Sequence, residues 1–314
     1  MPLHLLPPGR DDREAAISRR SFLGRSLLGA ACLLLPGRDS AAAPGPAASR
    51  GRPWALLADT HVHEALYEKN RNSHMAANLV RAVSEVLDEG AGTALVNGDL
   101  ARLVGNPGDY GRFLELVEPL RRGGLAVHAT LGNHDDRSNF RQALARAGAT
   151  RDGAGQTALP ERHWASVEVD GTRWILLDSL EKVNATPGLL GKPQIEWLAG
   201  ELDRTPTTPA IIFLHHNPET TDIGLKDTAD FLAAIRPRRQ VKAVFFGHTH
   251  TWRRWDDDGI HMVNLPATGY SFRAEEPIGW VLARPSPGGL EIELRSIGPA
   301  HRDHGKKIAL AWRG

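Results

Sequence analysis

Short apolar runs alternate with amphipathic stretches along most of this 314-residue chain, and the two periods predict different elements. Trp54 to Ala58, Ala94 to Val96 and Leu125 to Leu131 read as strands. Between them, Met75 to Leu87 predicts a helix with Leu79, Val80, Val83 and Val86 on one face, and Phe113, Leu114, Val117 and Leu120 mark a second helical face. This is the βαβ rhythm of a sheet covered by helices. A hairpin follows, Trp164 to Val169 and Thr172 to Leu177, joined at Asp170-Gly171, a strong turn signal. The chain then predicts a helix from Pro193 to Leu202 with proline at its start, a strand from Ala210 to Leu214, a helix from Thr228 to Ile235 and a strand from Val241 to Phe246. Beyond Trp252 come strand-like runs at His261 to Leu265, Gly279 to Ala283 and Leu290 to Ile297. The expected architecture is a single α/β domain over residues 51–314, two stacked sheets flanked by helices, ending in a short basic tail.

At 41% apolar residues the chain can bury a full core, and 32 glycines with 21 prolines suit many turns between short elements. The first 43 residues stand apart from that fold. Ser18-Arg19-Arg20-Ser21-Phe22-Leu23 matches the twin-arginine export pattern, and apolar Leu27 to Leu35 and the small-residue run Ala41-Ala42-Ala43 follow it. The apolar run is well short of the roughly 20 residues that span a bilayer, so a cleaved signal peptide rather than a membrane anchor is expected. Ser40-x-Ala42 is one cleavage signal, and Ala47 and Ala48 leave the boundary open to about residue 50. Cys32, the only cysteine, lies inside this leader, and a lipobox around it would place Gly29 where leucine is usual. The expected mature protein is therefore thiol-free and periplasmic or extracellular, with the twin-arginine export machinery as a partner.

The net charge of +1 hides an asymmetry, because residues 1–50 hold seven arginines against four acidic residues, leaving 31 basic against 33 acidic beyond them. No basic stripe is left for a polyanion, so stable nucleic-acid binding is not expected, whereas a small phosphate-bearing substrate is compatible.

Candidate chemistry sits in five polar clusters: Asp59-Thr60-His61, Gly98-Asp99, Gly132-Asn133-His134-Asp135, His215-His216 and Gly247-His248-Thr249-His250. They fall just past the ends of the expected strands, where loops of such a fold converge. Asp59 and His61, two apart at a strand exit, can grip one metal. Asp99, beside a glycine, can bridge two ions about 3.5–4 Å apart. Asn133 offers an amide oxygen, His215 and His248 offer imidazoles, and His250 reaches the first metal. Two divalent ions less two aspartates and a bridging hydroxide leave a positive site that attracts an anionic ester, and the hydroxide supplies the nucleophile. His134 is the expected acid for the leaving oxygen, with Asp135 holding its tautomer and orientation.

With these motifs in place, the chain resembles a calcineurin-like metallophosphoesterase, the match running from Asp59 to His250. The resemblance implies a two-sheet sandwich with helices on its outer faces. It also implies Asp59, His61 and His250 at the first metal, Asn133, His215 and His248 at the second, Asp99 as the bridge, and His134 with Asp135 as catalytic histidine and supporting acid. His216 is implied behind His215 rather than as a ligand. The spacing looks most like the bacterial cyclic-nucleotide and glycerophosphodiester phosphodiesterase branch. One departure stands out: many relatives carry an acidic or amide residue three positions after the bridging aspartate, where this chain has Arg102.

Arg102 either faces the substrate or is solvated. His63 could extend the first pair, and Trp252, Arg253, Arg254 and Trp255 could rim the ester. His128 reads as a packed or hydrogen-bonded core histidine, and His301 and His304 as surface residues. The expected protein is an exported hydrolase carrying two divalent ions of Mn, Fe, Co or Zn and favouring a phosphodiester. A phosphomonoesterase is the alternative, and a non-catalytic metal- or phosphate-binding protein a further one.

Overall fold

Residues 51–147, 162–298 and 301–314 are described in the computed structural model of the chain. The export motif and Cys32 lie outside the described residues. Strand β1 (Trp54–Leu57) is buried on both faces because its side chains alternate between two cores. Trp54 and Leu56 enter a layer shared with a second sheet, while Ala55 and Leu57 pack under helices.

Six strands form the first sheet in the order β14 (Lys307–Ala311), β13 (Gly289–Ser296), β12 (Gly279–Ser286), β1, β4 (Thr93–Asn97) and β5 (Ala126–Thr130). The second runs β10 (Arg253–Asp257), β11 (Ile260–Asn264), β9 (Val241–Phe246), β8 (Ala210–Phe213), β7 (Thr172–Leu176) and β6 (Ala165–Val169). Helices α1 (Met75–Asp88), α2 (Pro107–Arg122) and α3 (Arg137–Arg146) pack on the first sheet, α4 (Lys192–Arg204) and α5 (Thr228–Ile235) on the second. The layers are helix, sheet, sheet, helix, as the pattern predicts. Between the sheets Trp174 meets Trp54 edge-on at 5.1 Å and Phe213 at 4.9 Å, and the Trp54 indole N–H donates to Asp170 of the β6–β7 turn at 2.9 Å. Each such side chain removed from water contributes roughly 1.5–3 kcal/mol.

Strand direction positions the site. β1, β4 and β5 are mutually parallel, as are β7, β8, β9 and β11, so their carboxyl ends gather along one rim of each sheet.

Several elements depart from the pattern. Val80, expected inward, is 52% exposed, and the buried face of α1 runs through Met75, Leu79, Ala82, Val83 and Val86. Helix α3 buries only Phe140 and Ala143, too little apolar periodicity to announce itself, and starts because the Asp136 carboxylate accepts from the Asn139 N–H at 2.8 Å. β10 is an edge strand of mostly charged residues. The supposed basic tail is β14, where Ile308 and Leu310 alternate into the inter-sheet core between Lys307, Ala309 and Ala311. A two-stranded hairpin, β2 (Lys69–Asn70) and β3 (Ser73–His74), precedes α1.

His128 is the core histidine expected, 8% exposed on β5 and 5.9 Å from the Trp174 ring. Burial pushes it down to about 4 from 6.5. The unfolded chain therefore binds the extra proton between those values, so this contribution is fully present above about pH 6.5 and declines as pH falls toward 4. Wild type is expected to lose stability more steeply than His128→Gln over that interval, by up to about 1.4 kcal/mol per pH unit. Equal slopes in denaturant titrations at pH 7 and pH 4.5 would assign no such role to His128.

Candidate metal centre

The parallel pairing of β1 and β4 continues past both strands: Asp59 N–H donates to Gly98, His61 to Asp99 and Val62 to Leu100, at 2.9–3.1 Å. This lays the first two motifs side by side. Asp59, His61, Asp99, His248 and His250 all adopt left-handed backbone, with φ between 47° and 70°. Each such conformation costs on the order of 1–3 kcal/mol for a non-glycine residue, so its concentration at one rim marks a site. Two motif glycines permit the close approach. A Cβ at Gly98 would stand 2.4 Å from His215 Nδ1, and one at Gly132 would stand 2.2 Å from an Asp99 oxygen.

Donor atoms gather in overlapping groups able to hold a cation: Asp59, His61 and His250; Asp99, His215 and His248; and His61, Asp99 and His134. The two Asp99 oxygens have separate tasks. Oδ1 accepts the His134 backbone N–H at 2.9 Å, while Oδ2 lies 3.6 Å from His61 Nε2 and 3.2 Å from His215 Nε2, between the first two groups. The Asp59 carboxylate accepts the His248 backbone N–H and places Oδ1 3.3 Å from His250 Nε2.

The imidazoles are oriented from behind. Nδ1 pairs with a main-chain carbonyl in His61 (Arg102), His215 (Asn97) and His250 (Tyr270), at 3.4, 3.1 and 2.6 Å, which turns Nε2 toward the cluster. His61 and His250 bring their Nε2 atoms within 3.1 Å of each other, as two ligands of one ion do. Nε2 of His215 and of His248 and Oδ1 of Asn133 are buried with no hydrogen-bond partner. Buried polar atoms left without partners are costly unless a cation engages them, so these residues fit a metal.

Charge agrees with that fit. Burial pushes His61 down to about 3 and His248 to about 4, leaving both neutral. Burial would also lower His215, but Asp99 and Asp59 outweigh it and carry the ring up to about 9, so in the ion-free protein His215 holds a proton that a bound cation would displace. Burial alone would raise Asp99, yet His215 and His61 hold it well below the usual carboxylate range. Two buried carboxylates demand positive charge, and a divalent cation meets that demand.

His134 lies at the mouth with Nδ1 2.7 Å from the Leu103 carbonyl, so Nε2 is the nitrogen turned to the cluster. Asp135 does not supply this orientation. Its fully buried carboxylate accepts the N–H groups of Leu100, Ala101 and Gly132 and the Tyr110 hydroxyl. The four bonds saturate it and lock the Asp99 and Asn133 loops together. Burial, then the Asp99 charge, pushes Asp135 up to about 7.

His216 is buried behind the ligands, with Nδ1 2.8 Å from Ser179 Oγ. Arg102 sits beside the cluster. Arg253 pairs with Glu219 and lies 4.6 Å over the Trp255 ring. His63 joins no donor group among the described residues, and its Nδ1 accepts the Ala65 N–H. Trp252 packs partly buried on the inter-sheet core and Trp255 on the outer core. His301 and His304 are surface residues, but His304 Nδ1 accepts the Ser296 N–H at 3.0 Å and helps anchor the chain before β14.

Asn97 and Tyr270 were not legible in the sequence. The fully buried Asn97 amide donates to Leu214 and Phe245 carbonyls of the second sheet and accepts from Thr130 Oγ1, stitching the sheets together beneath the metal residues. The Asn just before Gly98-Asp99 was the available signal. Asn97→Ala would leave several buried groups unsatisfied, and a loss of about 3 kcal/mol is expected in chemical denaturation. A loss under about 1 kcal/mol would count against the stitch.

This fold and donor set define a metal-binding phosphoesterase centre. Residues 53–252 match the family described as calcineurin-like phosphoesterase, and the chain belongs to that family. It is a hydrolase acting on phosphoric ester bonds. A Synechococcus protein named as a probable cyclic nucleotide phosphodiesterase is 30% identical over 202 residues, 62% of this chain and 72% of that one. The 3′,5′-cyclic adenosine monophosphate phosphodiesterase CpdA of Haemophilus influenzae is 28% identical over 211 residues, 65% of this chain and 70% of that one. A dimetal phosphatase from Danio rerio shares the fold at a TM-score of 0.64 and 16% identity, covering 84% of this chain and all of that one.

Proposed function

We propose that the protein is an exported phosphodiesterase whose site holds two divalent ions and acts on a small diester of the cyclic-nucleotide class. The observation that carries the two-ion reading is Asp99 Oδ2, placed between a nitrogen of the first donor group and one of the second. The diester preference is supported by the names of the Synechococcus and Haemophilus relatives.

When bound, such a pair supplies Lewis acidity to the phosphate and a water nucleophile active near neutral pH. Asp59, His61 and His250 would hold one ion, Asn133, His215 and His248 the other, and Asp99 both. His134 Nε2, fixed by the Leu103 carbonyl, is placed to give its proton to the departing oxygen.

One purified preparation, analysed for metal and assayed on paired mono- and diester forms of a chromogenic phosphate and on 3′,5′-cyclic AMP, tests this. Turnover of the diester and the cyclic nucleotide by metal-replete protein is expected. Activity confined to the monoester overturns the substrate reading, and a metal-replete protein inactive on all three overturns hydrolysis. Export rests on Arg19-Arg20 and the apolar run behind them. Replacing both arginines with lysine should leave the unprocessed chain in the cytoplasm, and unimpaired export would refute the twin-arginine route.

A further inference from the structure

The loop after Asp99 carries a guanidinium that no part of the ligand set uses. Arg102 is half-buried, and its Nε is fully shielded from water without a hydrogen-bond partner. Among the described residues no carboxylate pairs with it. Three other arginines drawn into this fold have one: Arg137 meets Asp178, Arg173 meets Glu201 and Arg313 meets Asp258. A guanidinium nitrogen withdrawn from water without a partner is costly, so a part-buried arginine kept in that state suits an anion that arrives from outside.

Its place in the loop says which anion. The Arg102 carbonyl faces His61 Nδ1 at 3.4 Å, and the carbonyl of the next residue, Leu103, faces His134 Nδ1 at 2.7 Å. Arg102 is thus strung between a metal-holding residue and the proposed acid. This stretch of loop therefore stands at the edge of the donor cluster at which a phosphate must sit. Arg71, by contrast, lies 5.1 Å over the Phe272 ring.

We propose that Arg102 binds a non-bridging oxygen of the substrate's phosphate group and so positions the ester against His134, an inference that rests on the phosphoesterase reading. The planar fork suits two adjacent phosphate oxygens, which an ammonium, as a point charge, cannot match. Because the contact exists before and during reaction, it strengthens substrate binding more than turnover.

The test compares metal-loaded wild type, Arg102→Met and Arg102→Lys. Calorimetric titration with inorganic phosphate reads binding without chemistry, and KM and kcat are measured beside it. Met keeps the packed stem and leaves the backbone carbonyl untouched. Arg102→Met is expected to weaken phosphate by about tenfold to a hundredfold and to raise KM in parallel, with kcat within about threefold. Metal content and thermal midpoint stay at wild-type values, and Arg102→Lys falls between. Equal phosphate affinity in wild type and Arg102→Met overturns the inference. So does metal loss from Arg102→Met, which would make the side chain a support for His61. Wild type that binds phosphate but hydrolyses no ester sinks the hydrolytic reading alone, since calorimetry still reports on Arg102, and wild type that binds no phosphate overturns both.

Discussion

Asp99→Asn is expected to fold normally and to lose both its metal and its turnover. The substitution conserves shape, and an amide oxygen can still accept the His134 N–H now taken by Oδ1. What disappears is the negative charge at Oδ2, the atom between His61 and His215. Both halves of the donor set lose their shared anionic ligand among buried side chains, so the deficit is poorly screened. Asp59 is then the only carboxylate left among the proposed ligands, against two divalent ions. Removing a mere partner of a ligand typically costs tenfold to about a hundredfold in metal affinity. Loss of the shared ligand should exceed this, with turnover down by about a thousandfold or more. Elemental analysis after dialysis, kcat/KM and a thermal midpoint measure the three quantities. Retained metal with near-normal turnover would remove Asp99 from the bridge position and with it the two-ion reading.

His134→Ala should give the opposite split, with metal retained and turnover lost. No proposed ligand is removed, and the backbone N–H that binds Asp99 remains. The missing imidazole costs the proton delivered to the leaving oxygen, a contribution of roughly a hundredfold to ten-thousandfold in kcat. Leaving-group chemistry separates an acid from a residue that merely fills the mouth. A nitrophenolate leaves without a proton, so His134→Ala should be impaired far less on a nitrophenyl ester than on an alkyl ester. Equal losses on both would make His134 a positioning group. Asp135→Asn should act elsewhere. That carboxylate ties the N–H groups of Leu100, Ala101 and Gly132, so its loss should appear first in stability and metal retention.

Legibility varied with how local the physics was. β1, β4, β8 and β9 announced themselves because strands buried on both faces need unbroken apolar runs. Helix α3 and strands β10 and β14 did not, because each buries only one or two apolar side chains and relies on neighbours to pair and cover it. The motif residues were legible for a similar reason: metal-binding side chains must be Asp, Asn or His, and each follows a recognisable strand. Their supports were not. The groups that orient His61, His215 and His250 are the carbonyls of Arg102, Asn97 and Tyr270, and a carbonyl has no residue-type signature.

The sequence by itself therefore determined the layered α/β fold, the set of donor residues and their order, because hydrophobic period and ligand chemistry are written in side-chain identity. Tertiary structure alone decided that Asp99 Oδ2 lies between the two donor groups, that Leu103 rather than Asp135 orients His134, and that Asn97 joins the sheets beneath them. Those outcomes depend on which backbone atoms the fold brings within hydrogen-bonding distance across 31 to more than 100 residues of chain, and pairing at that range leaves no local trace in sequence.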